Sequence, residues 1–230
     1  MDQAAIKCEG IKKSYGEDLI RVDALKGIDL EIYPEKLTLL VGPSGSGKTT
    51  LLFIITTILT PDEGKLFLLG QEMSQMSESK KAEFCRKSLG IVFQSLFLIP
   101  TLSVVENVSM PLLVAGMPQK EAQDKAMVFL KKMQIDHRSE ISPSHLSKGQ
   151  QQRVAIARAL VNDSKIIVCD EPTSALDQAA GLEIMAVLKE LALHSGKAVL
   201  VVTHDHRIFS FADRIIHIND GQITAGKEHE

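Results

Sequence analysis

Residues 42–49 have the spacing GxxxxGK[ST], which is typical of a loop that binds nucleotide phosphates. A short apolar run, residues 37–41, precedes this loop, and a run of helical length, residues 49–59, follows it. In that setting, backbone amides and a helix N-terminus face the anion. Lys48 supplies charge for the outer phosphates of ATP, and Thr49 offers a hydroxyl to Mg²⁺. The residues predicted to contact the nucleotide here are Gly42, Pro43, Ser44, Gly45, Ser46, Gly47, Lys48, Thr49 and Thr50.

Two adjacent carboxylates, Asp170 and Glu171, follow another apolar run, residues 166–169. Ligands of open α/β sheets bind at the carboxyl ends of the strands. We therefore expect Asp170 to bind the Mg²⁺ ion and Glu171 to act as a general base on the attacking water. A charged turn after a strand is the alternative for an isolated pair of this kind, but the phosphate loop favours the chemical interpretation.

The apolar pattern along the chain alternates between strand-like and helix-like segments, which indicates a parallel sheet in an α/β fold. Strands are predicted at residues 25–32, 37–41, 166–169 and 198–202. Helices are predicted at residues 49–59, 78–88, 104–110, 120–133, 150–160 and 182–193, with a turn at 61–64. We expect one domain over residues 1–230, with a core at about 1–92 and 160–230 and a helical subdomain at about 93–159.

Composition limits the function classes. The 230 residues are 44% hydrophobic and 24% charged with a formal net charge of −3, which gives no footprint for nucleic acid. Three separated cysteines argue against a disulfide framework or a zinc site. Neither a signal-peptide pattern in residues 1–10 nor an apolar run of membrane-spanning length is present. We expect a protein that is soluble by itself and reaches a membrane only through a partner.

The segment LSKGQQQR, residues 146–153, resembles the LSGGQ signature of ABC-type ATPases, and the other motifs occur in that family's order. The resemblance implies a P-loop NTPase fold with a mainly parallel sheet, an N-terminal antiparallel β part and an inserted α-helical subdomain. It also implies that two chains close around two ATP molecules. Ser147, Gly149 and Gln150 then contact the ATP that the opposite chain holds, and Lys148 stands where the family usually has glycine.

The same resemblance assigns roles to single residues elsewhere. It implies that Tyr15 stacks on adenine, that Gln94 contacts Mg²⁺ and water, and that His204 contacts the γ-phosphate. The predicted catalytic set is Glu171, His204, Gln94 and Lys48, and the predicted metal ligands are Thr49, Gln94 and Asp170. Taken singly, Tyr15 fits an ordinary strand aromatic, and Gln94 and His204 fit solvated loop residues. The apolar residues 96–100 fit either subdomain core or a docking groove.

The motif set occurs once, and Gln94 and Ser147 are only 53 residues apart, which leaves no room for a long coiled-coil insertion. This favours a transporter subunit over a soluble ABC-type ATPase that acts on ribosomes or DNA. Residues 89–94 and 98–108 resemble the bacterial branch of lipoprotein release and macrolide export. That resemblance implies a homodimer at the cytoplasmic face of the inner membrane, working with a separate permease of four-helix type with a periplasmic domain. The chain ends soon after Gly221, so we expect no regulatory tail. Ser174 is the importer version of its motif, and an amino-acid importer is the alternative.

Overall fold

The computed structural model describes residues 3–16 and 20–224. The strands are β1 (Ile6–Tyr15), β2 (Val22–Ile32), β3 (Leu37–Val41), β4 (Glu63–Leu68), β5 (Gln71–Glu72), β6 (Leu89–Val92), β7 (Ile166–Asp170), β8 (Ala198–Thr203), β9 (Arg214–Asn219) and β10 (Gln222–Thr224). The α-helices are α1 (Lys48–Ile55), α2 (Glu78–Ser88), α3 (Val104–Val114), α4 (Gln119–Lys132), α5 (Lys148–Leu160) and α6 (Gln178–Ser195). A 3₁₀-helix, His206–Phe211, follows β8.

Two sheets organise the chain. The larger has the strand order β10-β9-β3-β8-β7-β6, in which only β10 is antiparallel to its neighbour. The smaller is antiparallel, with the order β2-β1-β4-β5. The α/β class, the N-terminal antiparallel part and the helices inserted between β6 and β7 agree with the sequence-based expectation.

Alternate residues of the central strands enter two separate hydrophobic cores. Leu39 and Val41 of β3 pack with α3, α4, α5 and α6 on one face of the large sheet. Leu40, between them, packs with α1 and the antiparallel sheet on the other face. Every residue of β3, β7 and β8 is buried, because helices or strands cover both faces of a parallel sheet. This arrangement accounts for the continuous apolar runs in the sequence.

Two local predictions were wrong. The helix expected over residues 49–59 ends at Ile55, because Thr57 takes a left-handed conformation with φ 60°. Its neighbours Ile58 and Leu59 donate their amides to the carbonyl of Phe53 instead of continuing the helix. The predicted turn at residues 61–64 contains the first residues of β4.

The helix expected over residues 104–110 is longer than the sequence indicated, because α3 continues through Pro111 to Val114. An internal proline costs about 3 kcal/mol in a helix. Val108 and Leu112, on either side of the proline, are both buried in the core, and this packing holds the helix together.

None of the helices in the described ranges, 3–16 and 20–224, combines the length and apolar character that crossing a bilayer requires. Because one core runs through both the helices and the sheet face, the proposed division into core and subdomain stays a prediction.

A buried amide fixes the loop that leads into α3. Asn107 is fully buried, and its Oδ1 accepts from the amide of Ile99 at 2.7 Å. Its Nδ2 donates to the carbonyls of Ile99, Leu102 and Ser103 at 3.0, 3.2 and 2.9 Å. Asn107 therefore supplies hydrogen bonds that a loop without regular structure cannot make for itself.

We expect Asn107→Ala to lower the free energy of unfolding by about 1–3 kcal/mol, since it leaves buried backbone groups of the loop unpaired. Urea denaturation measures the change. The matched control is Asn219→Ala, because Asn219 is an exposed residue of β9. Equal stabilities of the two variants would contradict the assignment.

Candidate functional site

The site lies where four parallel strands end at the same edge of the large sheet. Val41, the last residue of β3, pairs with Thr203 at the end of β8 and with His217 of β9. Asp170, the last residue of β7, pairs with Val202. The phosphate loop, the carboxylate pair and His204 follow three of these strand ends, so the sheet register brings segments more than 150 residues apart to one place.

The loop after β3 is shaped by close backbone contacts. Gly47, which precedes α1, has φ 98°, and a Cβ there would lie 2.6 Å from the carbonyl oxygen of Ala24. A Cβ on Gly42 would lie 2.1 Å from the carbonyl oxygen of Ile218. Only glycine fits at either position, because backbone atoms cannot move aside as a flexible side chain can.

Lys48 lies against the loop, with its Nζ donating to the carbonyl oxygens of Gly42 and Pro43 at 2.8 Å each. The side chain is nearly buried. Burial lowers the pKa of Lys48, while the nearby carboxylates of Glu171 and Asp170 raise it. The ammonium is therefore poorly hydrated, which strengthens its attraction for any anion that the loop holds.

The carboxylate of Asp170 is buried at the end of β7. Burial raises its pKa, the negative charge of Glu171 raises it further, and Lys48 opposes both. No residue in the described part of the chain donates a hydrogen bond to this carboxylate. Thr49 and Gln94 line the same cleft as Asp170. One carboxylate with hydroxyl and amide oxygens is a ligand set that suits Mg²⁺, which takes its remaining ligands from water and phosphate.

Glu171 is held in a fixed orientation. Its backbone is left-handed, with φ 50°, and its amide donates to the carbonyl of Val202 at 2.9 Å. Its carboxylate accepts from the hydroxyl of Thr203 at 3.3 Å, and its Oε1 lies 2.6 Å from Nδ1 of His204. When Glu171 is ionised, Nδ1 of His204 must carry the proton of that hydrogen bond. Strained, oriented carboxylates of this kind are characteristic of functional sites.

These groups line one cleft of about 960 Å³. It contains all the predicted catalytic residues, namely Glu171, His204, Gln94 and Lys48. It also contains Gly42, Pro43, Ser44, Gly45, Gly47, Thr49, Thr50 and Asp170. Ser46 is different, because it is buried beneath the loop and its hydroxyl has no partner within the residues that the structure describes.

Sequence reasoning missed five cleft residues: Ala24, Val41, His206, Phe209 and His217. His206 and Phe209 lie on the 3₁₀-helix after β8, with ring centroids 4.7 Å apart. His217 reaches the site because β9 pairs with β3, a pairing that no local pattern reveals. An apolar run at residues 215–216 before His217 was the only available signal.

The residues of the LSGGQ-like segment are not in this cleft. Ser147 caps α5, with its Oγ accepting from the amide of Gln150 at 3.3 Å while Gln150 Oε1 accepts from the amide of Ser147 at 3.1 Å. Gly149 packs near Leu176, where a Cβ would lie 3.1 Å from the leucine side chain. Ser147 is thus the N-cap of α5, but the chain's own phosphate loop does not meet this helix end.

Tyr15 is also absent from the cleft lining. It ends β1, pairs with Val22 across the antiparallel ladder and is 46% exposed. The predicted stacking on adenine stays a prediction, since the ring does not line the cleft.

Residues 96–100, which follow Gln94, lie partly in the core and partly on the surface. Leu96 and Leu98 pack against the core, whereas Phe97 is 67% exposed and Ile99 is 39% exposed. Gln94 lines the cleft and also a second groove of about 490 Å³, which Phe97 and Lys148 border as well. Gln94 therefore lies between the two concave surfaces.

Comparison with known proteins identifies relatives over the whole chain. LolD of Pseudomonas fluorescens, a lipoprotein-releasing system ATP-binding protein, is 39% identical over 97% of this chain and 99% of that protein. PvdT of the same species, a pyoverdine export ATP-binding/permease protein, is 43% identical over 98% of this chain. This chain spans only 34% of the length of PvdT. The dimeric structure of MJ0796, a bacterial ABC transporter cassette, has a TM-score of 0.92 and 38% identity, and the match covers 97% of this chain and 98% of MJ0796.

A further structure of MJ0796, a post-hydrolysis state bound to ADP and Pi, also has a TM-score of 0.92, with 37% identity over the same shares of the two chains. The expected resemblance to the lipoprotein-release and export branch is confirmed by these relatives. The family profile described as ABC transporter matches residues 25–174, and on this evidence the chain belongs to the ABC transporter family.

Proposed function

We propose that this chain is the ATP-hydrolysing subunit of a membrane transporter, and that two copies close face to face around two ATP molecules. The observation that carries the proposal is the separation of the two halves of the site. Lys48, Asp170, Glu171 and His204 line one cleft, while the LSGGQ-like segment forms a second surface. The arrangement of MJ0796, known as a dimer, supports the same conclusion.

In this proposal the loop after β3 binds the phosphates of ATP through its amides and the ammonium of Lys48. Thr49, Gln94 and Asp170 hold Mg²⁺, which supplies positive charge to the phosphate oxygens. Asp170 is suited to this role because its buried charge lacks a hydrogen-bond donor in the described residues, so a cation relieves the cost of ionisation.

Glu171 orients and deprotonates the water that attacks the γ-phosphorus. The water proton moves to the Glu171 carboxylate as the new P–O bond forms, and the bond from the γ-phosphorus to the bridging oxygen breaks to release ADP. The hydrogen bonds from Thr203 and His204 fix the direction of the carboxylate. His204 is 72% exposed at its side chain, so its Nε2 is accessible to the γ-phosphate and donates to it when both ring nitrogens carry protons.

The opposite chain completes the site through the N-terminus of α5. The cap between Ser147 and Gln150 leaves the amides of Lys148 and Gly149 without partners inside the helix. Those two amides and the helix dipole face an anion that approaches from outside. Gln150 acts mainly by holding this cap, because both its amide and its Oε1 are engaged there.

The partner in this proposal is a separate integral-membrane permease, so the chain works at the cytoplasmic face of the inner membrane. Relatives named for lipoprotein release and for export support this branch of the family, and the resemblance to it implies a permease of four-helix type with a periplasmic domain. The exposed side chains of Phe97 and Ile99, next to Gln94, are an apolar surface suited to such a contact.

Glu171→Gln is expected to bind ATP and remain dimeric with it, while turnover falls by about 100-fold or more, since an amide is not a base at this position. Phosphate release and the molar mass in ATP measure the two effects. Glu83→Gln is the matched control, because among the described residues Glu83 forms an ion pair only with Lys87, on the surface of α2. Near wild-type turnover of Glu171→Gln would show that another group is the base.

Asp170→Asn is expected to raise the unfolding temperature of the ligand-free protein at neutral pH while abolishing Mg²⁺-dependent hydrolysis. The folded pKa of Asp170 is raised, so ionisation at neutral pH costs folding free energy that a neutral amide does not. The same linkage predicts that the destabilisation caused by ionised Asp170 disappears in the wild-type protein as the pH falls toward the pKa of Asp170. The stability of Asp170→Asn has no such contribution at any pH.

The control is Asp163→Asn, for which the opposite sign is expected. Lys197 lowers the pKa of Asp163, and the ion pair between them, at 2.6 Å, is lost in the variant. Thermal unfolding at pH 7 compares the unfolding temperatures of Asp170→Asn and Asp163→Asn with that of the wild-type protein. An Asp170→Asn protein less stable than wild type would contradict the electrostatic assignment.

A further inference from the structure

Arg158, near the C-terminal end of α5, grips the segment that follows Gln94. Its Nη1 donates to the carbonyl of Phe97 at 2.7 Å and its Nη2 to the carbonyl of Leu96 at 2.5 Å. Burial lowers the pKa of Arg158, and no carboxylate in the described ranges forms an ion pair with it. A partly buried guanidinium without an ion-pair partner is costly, so these two carbonyls are its compensation.

The gripped segment is strained. Phe97 has φ 48°, a left-handed conformation that bulky residues rarely adopt. Its ring is held edge-on against Phe93 at a centroid distance of 5.5 Å, and Phe93 contacts Phe53 of α1 at 6.2 Å. Such strain persists only where surrounding contacts impose it, and the fork of Arg158 is the contact on the carbonyl side.

Gln94 lies between two fixed parts of the chain, Phe93 and the backbone of Leu96 and Phe97. On its N-terminal side Phe93 is packed against α1, the helix that begins at Lys48. On its C-terminal side the backbone of Leu96 and Phe97 is fixed by Arg158. Ser147, at the other end of α5, lies about 16 Å from Arg158 along the helix axis.

We propose that Arg158 is a positioning residue for hydrolysis, which holds Gln94 at the Mg²⁺ and links its loop to the helix that carries the LSGGQ-like segment. The inference rests on the proposed role of Gln94 as a metal ligand. When a second chain closes on α5, a shift of this helix is then transmitted to Gln94 through the two hydrogen bonds of Arg158. A lysine replaces this function only in part, because one ammonium lacks the planar fork that engages two carbonyls at once.

The test is a double-mutant cycle with Gln94→Ala, measured as the Mg²⁺ dependence of binding of a non-hydrolysable ATP analogue and as the Mg²⁺ dependence of steady-state ATP hydrolysis. We expect Arg158→Met to raise the Mg²⁺ concentration for half-maximal activity about 10- to 100-fold in the wild-type background, because misplacing a ligand by a small distance has effects of that size. In the Gln94→Ala background the same change has no further effect. Arg158→Lys, which is less disruptive to folding, follows the same pattern with a smaller shift.

Arg153→Met is the matched control. Arg153 is on the same helix and donates to the carbonyl of Met133 and to Glu183, away from the Gln94 segment. Its effect is expected to be the same in both backgrounds and not to change the Mg²⁺ requirement.

Two outcomes overturn the inference in distinguishable ways. If Gln94→Ala raises the Mg²⁺ requirement but Arg158→Met and Arg158→Lys add to it independently, Arg158 has only a structural role and the role of Gln94 stands. If Gln94→Ala itself leaves the Mg²⁺ requirement unchanged, the proposed role of Gln94 fails and the inference fails with it.

Discussion

The parallel register of β3, β7, β8 and β9 is the constraint on which the rest of the molecule depends. Because these strands end at one level, the phosphate loop, Asp170, Glu171 and His204 meet without any long side chain reaching across the fold. The register is fixed by two cores, since a slip of one residue would exchange the side chains of β3 between them. Packing energy far from the cleft therefore sets distances inside it.

The sheet edge concentrates charge in a poorly solvated place. Lys48 carries the charge opposite to that of Asp170 and Glu171. Burial lowers the pKa of Lys48 and raises the pKa of Asp170, which in both cases favours the neutral form. The cleft therefore holds poorly solvated charges, and the packing of the two cores offsets their cost. In the proposed function, bound phosphate and Mg²⁺ would supply compensating charges, and binding and local stability would then be linked.

Much of this arrangement follows from sequence, and the part that does not has a common cause. The strands at β3, β7 and β8 were predicted because a sheet covered on both faces demands continuous apolar runs. The phosphate loop and carboxylates were predicted from their chemistry. The cleft position of His217 and the contact of Arg158 with the Gln94 segment were not, since each depends on contacts between segments distant in sequence.

The separation of the signature helix from the cleft makes the composite site the central claim, and chain mixing tests it most directly. Lys48→Ala and Ser147→Arg chains are each expected to be inactive, because every site of either dimer lacks one half. Mixed in equal amounts, they form dimers in which one site has both halves intact. Random pairing predicts recovery to about a quarter of wild-type hydrolysis. A mixture no more active than the two variants measured separately would contradict a site shared between chains.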